Sequence, residues 1–525
     1  MNNGIFFTGD APDDVSTSAA SRMVQQSRAV RLAPTVYTTN LTRTPESIVN
    51  GEWIFIVGRL FPGSTVTDRS AKSSGPVSGV LFLAHDARDR ELELPGLTVL
   101  ARRGAPPLPD DIPLPGGLHL ASRSRGMVEN AAPSRTSKRR AVPRRLKLDE
   151  LAEWVDQVCQ SDGEEALNVI RDRGRELAPL LGVSESSFEE FNNMVSAALS
   201  TNDSVRVPHI LNARRSGRPF DQHSVDRFDV LTMALRASAP QSRRSNRGMY
   251  LPFYEAYFSN FIEGTEFTVE DASRIVFEGF IPPQRSADAH DILGTYKVVN
   301  DEAEMRRVPR SVDEFIELMR SRHRSVLELR SDKGPGEFKV QQNRAGNTLF
   351  VAPELVIGTL TEGFGRIEEL ETPWERAVMT MFVVSETHPF ADGNGRIARV
   401  MMNAELVASD ESRIIIPTGY RADYIGALRR LSRDDEPSVY IKAMRYAQNW
   451  TYGVDFSDMA RAEVEMMALN AFEEDGPPLR LPGTVVAEIA LEADSYEDLG
   501  TYGWVAPYIR KDGTRVRAHR RKPRG

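Results

Sequence analysis

The stretch "THPFADGNGR" (Thr387–Arg396) packs a histidine, a carboxylate, two glycines, an asparagine and an arginine into one short run. A core helix needs none of these groups, and a simple turn needs only the glycines. Gly393 and Gly395 let the backbone approach an anion closely. The loop "DGNG" opens a helix, so unpaired amides and the positive end of the helix dipole face a concavity suited to phosphate. Asp392 beside that concavity offers a hard oxygen ligand for Mg²⁺, which takes its other partners from water and substrate phosphates. Arg396 and Arg399 are three apart, share a helical face and can add charge to a polyphosphate. His388 is a titratable base at the edge of the cradle. The set suits nucleophilic displacement at phosphorus, with a base for an incoming hydroxyl, a metal, and a cradle for a nucleotide.

The flanking segments must place these groups. "PWERAVMTMFVVSET" carries apolar residues on a helical period and brings His388 to its C-terminal end. "GRIARVMMNAELVA" reads as a second helix beginning near Gly395. Upstream, "GEFKVQQNRAGNTLFVAPE" (Gly336–Glu354) has short apolar runs about the turn "NRAGN", as a hairpin would. In "SNFIEG" (Ser259–Gly264), Ser259 and Glu263 are four apart and share one helix face.

The run from His388 to Arg399 matches the Fic family signature, His-x-Phe-x-acidic-Gly-Asn-Gly-Arg-x-x-Arg, without a departure. The resemblance implies an α-helical domain that transfers AMP from ATP to a Ser, Thr or Tyr hydroxyl of a protein. On that resemblance His388 deprotonates the hydroxyl and Asp392 holds Mg²⁺. Asn394 and the Gly393 and Gly395 amides hold the α- and β-phosphates, Arg396 neutralises phosphate charge, and Arg399 reaches the γ-phosphate. Phe390 anchors the loop in the core. The hairpin resembles the Fic flap, which aligns a target segment by adding it as a strand; Lys339 stands where arginine is usual. "YRADYIGALRRL" (Tyr420–Leu431) resembles the helix that borders the adenine. "SNFIEG" resembles the Fic inhibitory motif, in which the glutamate, here Glu263, pairs with the second arginine, here Arg399.

At 525 residues, with 40% hydrophobic and 27% charged residues, the chain reads as soluble and multidomain. No apolar run is long enough to span a bilayer and no secretory signal opens the sequence, so a cytoplasmic location is expected. A lone cysteine, Cys159, excludes an intramolecular disulfide and reads as packing. The net charge of −8 argues against general nucleic-acid binding, although "SRTSKRRAVPRRLK" (Ser134–Lys147) and the tail "YIRKDGTRVRAHRRKPR" are basic. The tail alternates about "KDG" as a short hairpin would.

The expected fold is α+β and multidomain. It comprises a disordered segment 1–34, a strand-rich domain 35–132, a helical domain 147–238, an all-α Fic domain with a flap at 249–474, and a basic tail module 475–525. "WIFIVGRLFPG", "SGVLFLAHD", "ELELPGLTVLARRG" and "GGLHLAS" read as strands, and "RGMVENAA" as a short helix. "LFPGSTVTDRSA", "LPGLTVL", "GGLHLASRSRGMVEN" and "RDRGRELAPLLG" resemble AbiEi-like antitoxins, over residues 35 to 235. That resemblance implies a DNA partner for the N-terminal half and a toxin–antitoxin setting. Three readings stay open: a self-inhibited protein adenylyltransferase, a DNA-binding regulator whose Fic fold senses nucleotide, and a Fic enzyme that uses another nucleotide or removes AMP. A homo-oligomer is compatible with each.

Overall fold

The computed structural model describes residues 4–9, 11–87, 89–132, 142–201, 206–245, 248–346, 348–474 and 476–482, with strand residues 503–505, 508–509, 515–516 and 519–521. The chain divides into two compact units, Met1–Gln222 and His223–Gly525. Among the described residues no helix is long and apolar enough to cross a membrane.

The first unit opens with β1 (Ile5–Phe7), α1 (Thr17–Gln25), β2 (Val30–Ala33) and β3 (Val36–Thr38), followed by α2 (Pro45–Leu60). Next come β4 (Thr65–Val66), α3 (Arg69–Lys72), β5 (Val80–His85), β6 (Arg90–Leu94), β7 (Leu97–Arg103), β8 (Ile112–Pro113) and β9 (His119–Leu120). The helices α4 (Arg123–Ala131), α5 (Leu148–Leu180), α6 (Glu185–Ala198) and α7 (His209–Arg215) complete it. A mixed sheet runs β6-β7-β5-β4-β9-β8, with β5–β7 and β4–β9 parallel.

Three expectations are corrected in this unit. The segment expected to be disordered carries β1, α1 and β2, because Ile5, Phe7 and Leu32 are buried in the same core as Val36. "WIFIVGRL" lies in the helix α2, not in a strand. Thr44 caps that helix, Pro45 follows it, and Ile56 and Val57 pack with Leu83 and Val99 of the sheet, so burial overrides the β-leaning composition. The strand-rich and helical segments also share one unit. A Cβ on Gly126 of α4 would lie 2.8 Å from the Trp154 ring of α5, and Arg69 Nη2 donates to Glu150 Oε2 at 2.7 Å. Cys159 is buried and free, as packing requires. Much of the basic linker lies outside the described residues; Arg145, at its end, faces Asp68 at 3.7 Å.

The second unit contains α8 (Gln222–Ala237), α9 (Leu251–Ile262), α10 (Val269–Glu278), α11 (Ser286–Asn300), α12 (Glu302–Met305) and α13 (Val312–Val326). The short strands β10 (Arg344–Ala345) and β11 (Thr348–Leu349) follow, then α14 (Val356–Glu368), α15 (Pro373–Thr387), α16 (Asn394–Ala408), α17 (Arg421–Asp434), α18 (Pro437–Gly453) and α19 (Met459–Ala468). In the tail, β12 (Gly503–Val505) pairs with β15 (His519–Arg521), and β13 (Tyr508–Ile509) pairs antiparallel with β14 (Arg515–Val516), while "KDG" lies outside the described residues. Apart from residues 476–482, the rest of the tail lies outside the described residues.

Helix α8 was expected to close the preceding helical domain, yet its side chains pack here. Phe228 meets Phe382 edge-on at 6.0 Å, Arg227 pairs with Glu386 at 2.8 Å, and Asp229 accepts from Arg366 at 2.9 Å. Helices α15 and α16 are buried along almost their whole length, and α9 packs by Phe253, Tyr254, Tyr257 and Phe258 into an aromatic core with Trp450 and Phe456. The loop between α15 and α16 therefore hangs from rigid supports at both ends.

Candidate active site

Thr372 and Glu375 form a reciprocal capping box at the start of α15. The helix ends on His388, whose φ of 51° and ψ of 58° are left-handed, an uncommon conformation for a non-glycine residue and one that turns the chain sharply. Asn394 then staples the turn: its Oδ1 accepts from Phe390 N at 2.8 Å and its Nδ2 donates to Phe390 O at 2.8 Å. Both side-chain atoms are thus spent on the loop, so the phosphate-binding capacity expected of Asn394 is left to its backbone. Gly393, with φ 74°, caps α16, whose first-turn amides have no intrahelical acceptor. Phe390 is fully buried, stacked on His323 at 3.7 Å and beside Phe338 at 5.2 Å, the anchor expected of it.

His388 is partly buried beneath Phe350, whose ring stacks on the imidazole at 3.7 Å with 8° between planes. Its Nδ1 lies 3.3 Å from the Ser385 carbonyl, which can only accept; Nδ1 therefore carries the proton and Nε2 keeps a lone pair. Burial pushes the His388 pKa down to about 4, with Lys339 adding to the effect and Ser385 opposing it. The ring is thus a neutral base at neutral pH. Burial also lowers Lys339 to about 8; its Nζ donates to Asn343 Oδ1 at 2.7 Å and to Thr387 O at 3.3 Å.

Asp392 keeps its carboxylate at the rim. Oδ1 accepts from Gly393 N at 2.7 Å, and Oδ2 lies 3.3 Å from Lys333 Nζ. Burial works against its charge, but Gly393 N–H, Arg396 and Lys333 outweigh that and hold the carboxyl below its ordinary range. Among the described residues no cluster of three or more His, Cys, Asp or Glu side chains could hold a metal. The Asp392 carboxylate at the rim offers a hard oxygen ligand of the kind that could hold a Mg²⁺ arriving with substrate phosphates. Arg396 is buried and pairs with Asp291 of α11 at 2.8 Å, an acid that Arg330 shares at 3.0 Å. Arg396 is thus held by a carboxylate of α11 beside the cradle.

Arg399 is buried and meets α9. Its Nε donates to Ser259 Oγ at 2.9 Å, and Nη2 donates to Ser259 O at 2.8 Å and to Glu263 Oε1 at 2.7 Å. Burial disfavours its charge, while Glu263 and the Tyr424 hydroxyl raise its pKa above the usual value. A Cβ on Gly395 would lie only 2.1 Å from Glu263 Oε1. The Glu263 carboxylate thus rests against the cradle itself.

The flap hairpin pairs Arg344 with Leu349 and Ala345 with Thr348. Its base is sewn to the catalytic turn: Lys339 N donates to Pro389 O at 2.9 Å, Asn343 Nδ2 donates to Phe390 O at 2.8 Å, and Phe338 bridges Phe390. Val340 and Leu349 are largely exposed along it. Sequence reasoning missed His323, Asp291, Lys333, Phe350 and Tyr424. Phe350 and Tyr424 lie in the flap-like and post-motif segments without having been singled out there, while Asp291, His323 and Lys333 belong to no quoted motif and reach the site from other segments.

A neutral base at a helix end, a glycine-lined helix N-terminus and a carboxylate at its rim make an arrangement that could handle a phosphoryl group. Residues 313–406 match the Fic/DOC family. It is similar to protein adenylyltransferase fic-1 of Caenorhabditis briggsae, 27% identical over 231 residues, covering 39% of this chain and 43% of that protein. Protein adenylyltransferase Fic of Nematostella vectensis is 27% identical over 256 residues, covering 46% of this chain and 58% of that one. A solved Fic-1 structure from Caenorhabditis elegans is 15% identical with a TM-score of 0.33, covering 68% of this chain and 91% of that chain. The chain thus spans only about half the length of the curated relatives it matches.

Proposed function

We propose that the second unit transfers AMP from ATP to a Ser, Thr or Tyr hydroxyl of a protein, and that Glu263 restrains this transfer in cis. The observation that carries the reading is the bare Nε2 of neutral His388 at the rim of the glycine-lined N-terminus of α16. His388 Nε2 takes the proton of the attacking hydroxyl. The freed oxygen forms a bond to the α-phosphorus as the bond to the β-phosphate oxygen breaks, and pyrophosphate leaves. The Gly393, Asn394 and Gly395 amides cradle phosphate oxygens, and Asp392 would hold Mg²⁺ once Lys333 yields. A bound Mg²⁺ would neutralise charge on the phosphates and the departing pyrophosphate. The flap holds the target segment by backbone pairing.

Arg399 is the cation placed for the terminal phosphate, and Glu263 occupies it. With its carboxylate against Gly395, Glu263 also repels an anion from the cradle. The test is intact mass after incubation with Mg²⁺ and each nucleoside triphosphate in turn, on wild type, Glu263→Gly and Glu263→Gly/His388→Ala. One added AMP on Glu263→Gly, absent from the double variant, is the expected result. No added nucleotide on any form under any triphosphate would refute the reading.

A further inference from the structure

We propose that His323 is a positioning residue that locks the phosphate cradle to the base of the flap; the inference rests on the AMP-transfer reading above. His323 is wholly buried on α13 and belongs to no recognised motif. Gly336 N, at the start of the flap segment, donates to His323 Nδ1 at 2.8 Å. A nitrogen that accepts cannot carry a proton, so the hydrogen sits on Nε2, which donates to the Asp392 carbonyl at 3.0 Å. The ring face stacks on Phe390 at 3.7 Å and 5°. Every polar atom of one side chain is thus divided between the flap and the catalytic loop.

The consequence for the cradle follows from peptide geometry. The Asp392 carbonyl and the Gly393 N–H belong to one planar trans peptide and point to opposite sides. By holding the carbonyl, His323 aims the Gly393 N–H the other way, where it binds Asp392 Oδ1 at 2.7 Å. The direction of the rim carboxylate is therefore set, through one peptide plane, by an imidazole that never meets substrate. The cradle also rests directly on this helix: a Cβ on Gly393 would lie 3.1 Å from Leu327 Cδ1 and 3.4 Å from His323 Nε2. The helix is itself anchored, since the neighbouring Arg322 donates to Glu304 O at 2.8 Å and to Arg307 O at 2.7 Å. A phenyl ring could reproduce the stack and the volume, but neither hydrogen bond.

The experiment uses the full chain carrying Glu263→Gly as parent, and adds His323→Phe, His323→Asn and His323→Gln. Two quantities are read: KM for ATP against kcat in self-modification followed by mass, and the affinity for a non-hydrolysable ATP analogue by calorimetry. His323→Phe is expected to raise both KM and the analogue dissociation constant by about tenfold or more, since small misplacements of reacting groups are costly. A merely structural role would lower the active fraction and leave KM unchanged. His323→Gln can return an N–H toward the Asp392 carbonyl and is expected to recover most of the affinity. His323→Asn can accept from Gly336 but is too short to reach Asp392; it is expected to bind as weakly as His323→Phe, and it decides the matter if His323→Phe does not fold. Parent-like KM and affinity in folded His323→Phe or His323→Asn, or no recovery in His323→Gln, would overturn the proposal. A parent that binds the analogue yet transfers no AMP would refute the transfer reading instead, and the calorimetric comparison would still judge His323.

Discussion

Replacing Glu263 by glycine removes the carboxylate that accepts from Arg399 Nη2 at 2.7 Å and lies against Gly395. A hydrogen bond to a charged partner contributes about 1.5–3 kcal/mol, roughly 10- to 150-fold in an equilibrium. The Glu263 side chain is 33% exposed while that of Arg399 is 5% exposed, so solvent screens one end of the pair and favours the lower part of that range. Relief of anion repulsion at the cradle adds to it. We therefore expect Glu263→Gly to transfer AMP roughly 10- to 30-fold faster than wild type at sub-saturating ATP. Glu263→Gln separates charge from bulk: its amide oxygen can still accept from Arg399, but it no longer repels phosphate, and its rate is expected to fall between the two. Initial rates of self-modification across ATP concentrations, followed by intact mass, make the comparison. Identical rates for wild type and Glu263→Gly at every ATP concentration would refute restraint by Glu263. A Glu263→Gln variant as slow as wild type would place the restraint in bulk rather than charge.

His388→Ala in the released background is expected to lose transfer by about 10²–10⁴-fold while keeping affinity for an ATP analogue, since the cradle amides are untouched; equal rates would remove His388 from the chemistry. Phe350→Ala opens the imidazole face to water, so the acid limb of the pH–rate profile, expected near pH 4 from the lowered His388 pKa, should move up toward the ordinary histidine value of about 6.5; an unmoved limb would show that Phe350 does not shield the base. His323 is buried with its pKa lowered to about 4. The unfolded chain therefore binds more protons than the folded one between about pH 6.5 and 4, and stability should fall on acidification through that window by up to about 3 kcal/mol. Urea midpoints across that range measure it, and a smaller acid loss in His323→Gln attributes it.

The turn that carries the proposed chemistry was legible because its groups are local: the histidine, the carboxylate and the glycines occupy one short run whose register no distant contact can change. Ser259 and Glu263 were legible as a pair by their spacing, and the meeting of Glu263 with Arg399 came from the family resemblance, whereas the Ser259 contacts to Arg399 came only with the structure. For Asn394 and Arg396 the sequence did not reveal the protein groups that hold their side chains, Phe390 for the first and Asp291 for the second. Nothing in "SRHRSV" distinguishes His323 from a helix-face histidine; its partners, Gly336 and Asp392, lie on separate segments. In the fold, "WIFIVGRL" was ambiguous because a short apolar run looks alike in a buried helix and a strand. The expected boundary lies between residues 238 and 249, after α8, whereas the two units part at Gln222, because α8 finds its apolar neighbours among the helices that follow.

The helix that carries Glu263 is itself a core element, with Phe253, Tyr254, Tyr257 and Phe258 buried beside Trp450. If Glu263 acts as the proposed restraint, its effective concentration is set by the fold, so it could not be diluted, titrated by a competing partner or outpaced by expression. Its grip should be the same at nanomolar and micromolar protein. Release then demands work against the aromatic core or a local opening of the last turn of α9, which carries Ser259 and leads into Glu263. A signal that frees Arg399 has to act on that turn, and its strength will be measured by how far it frays one helix end.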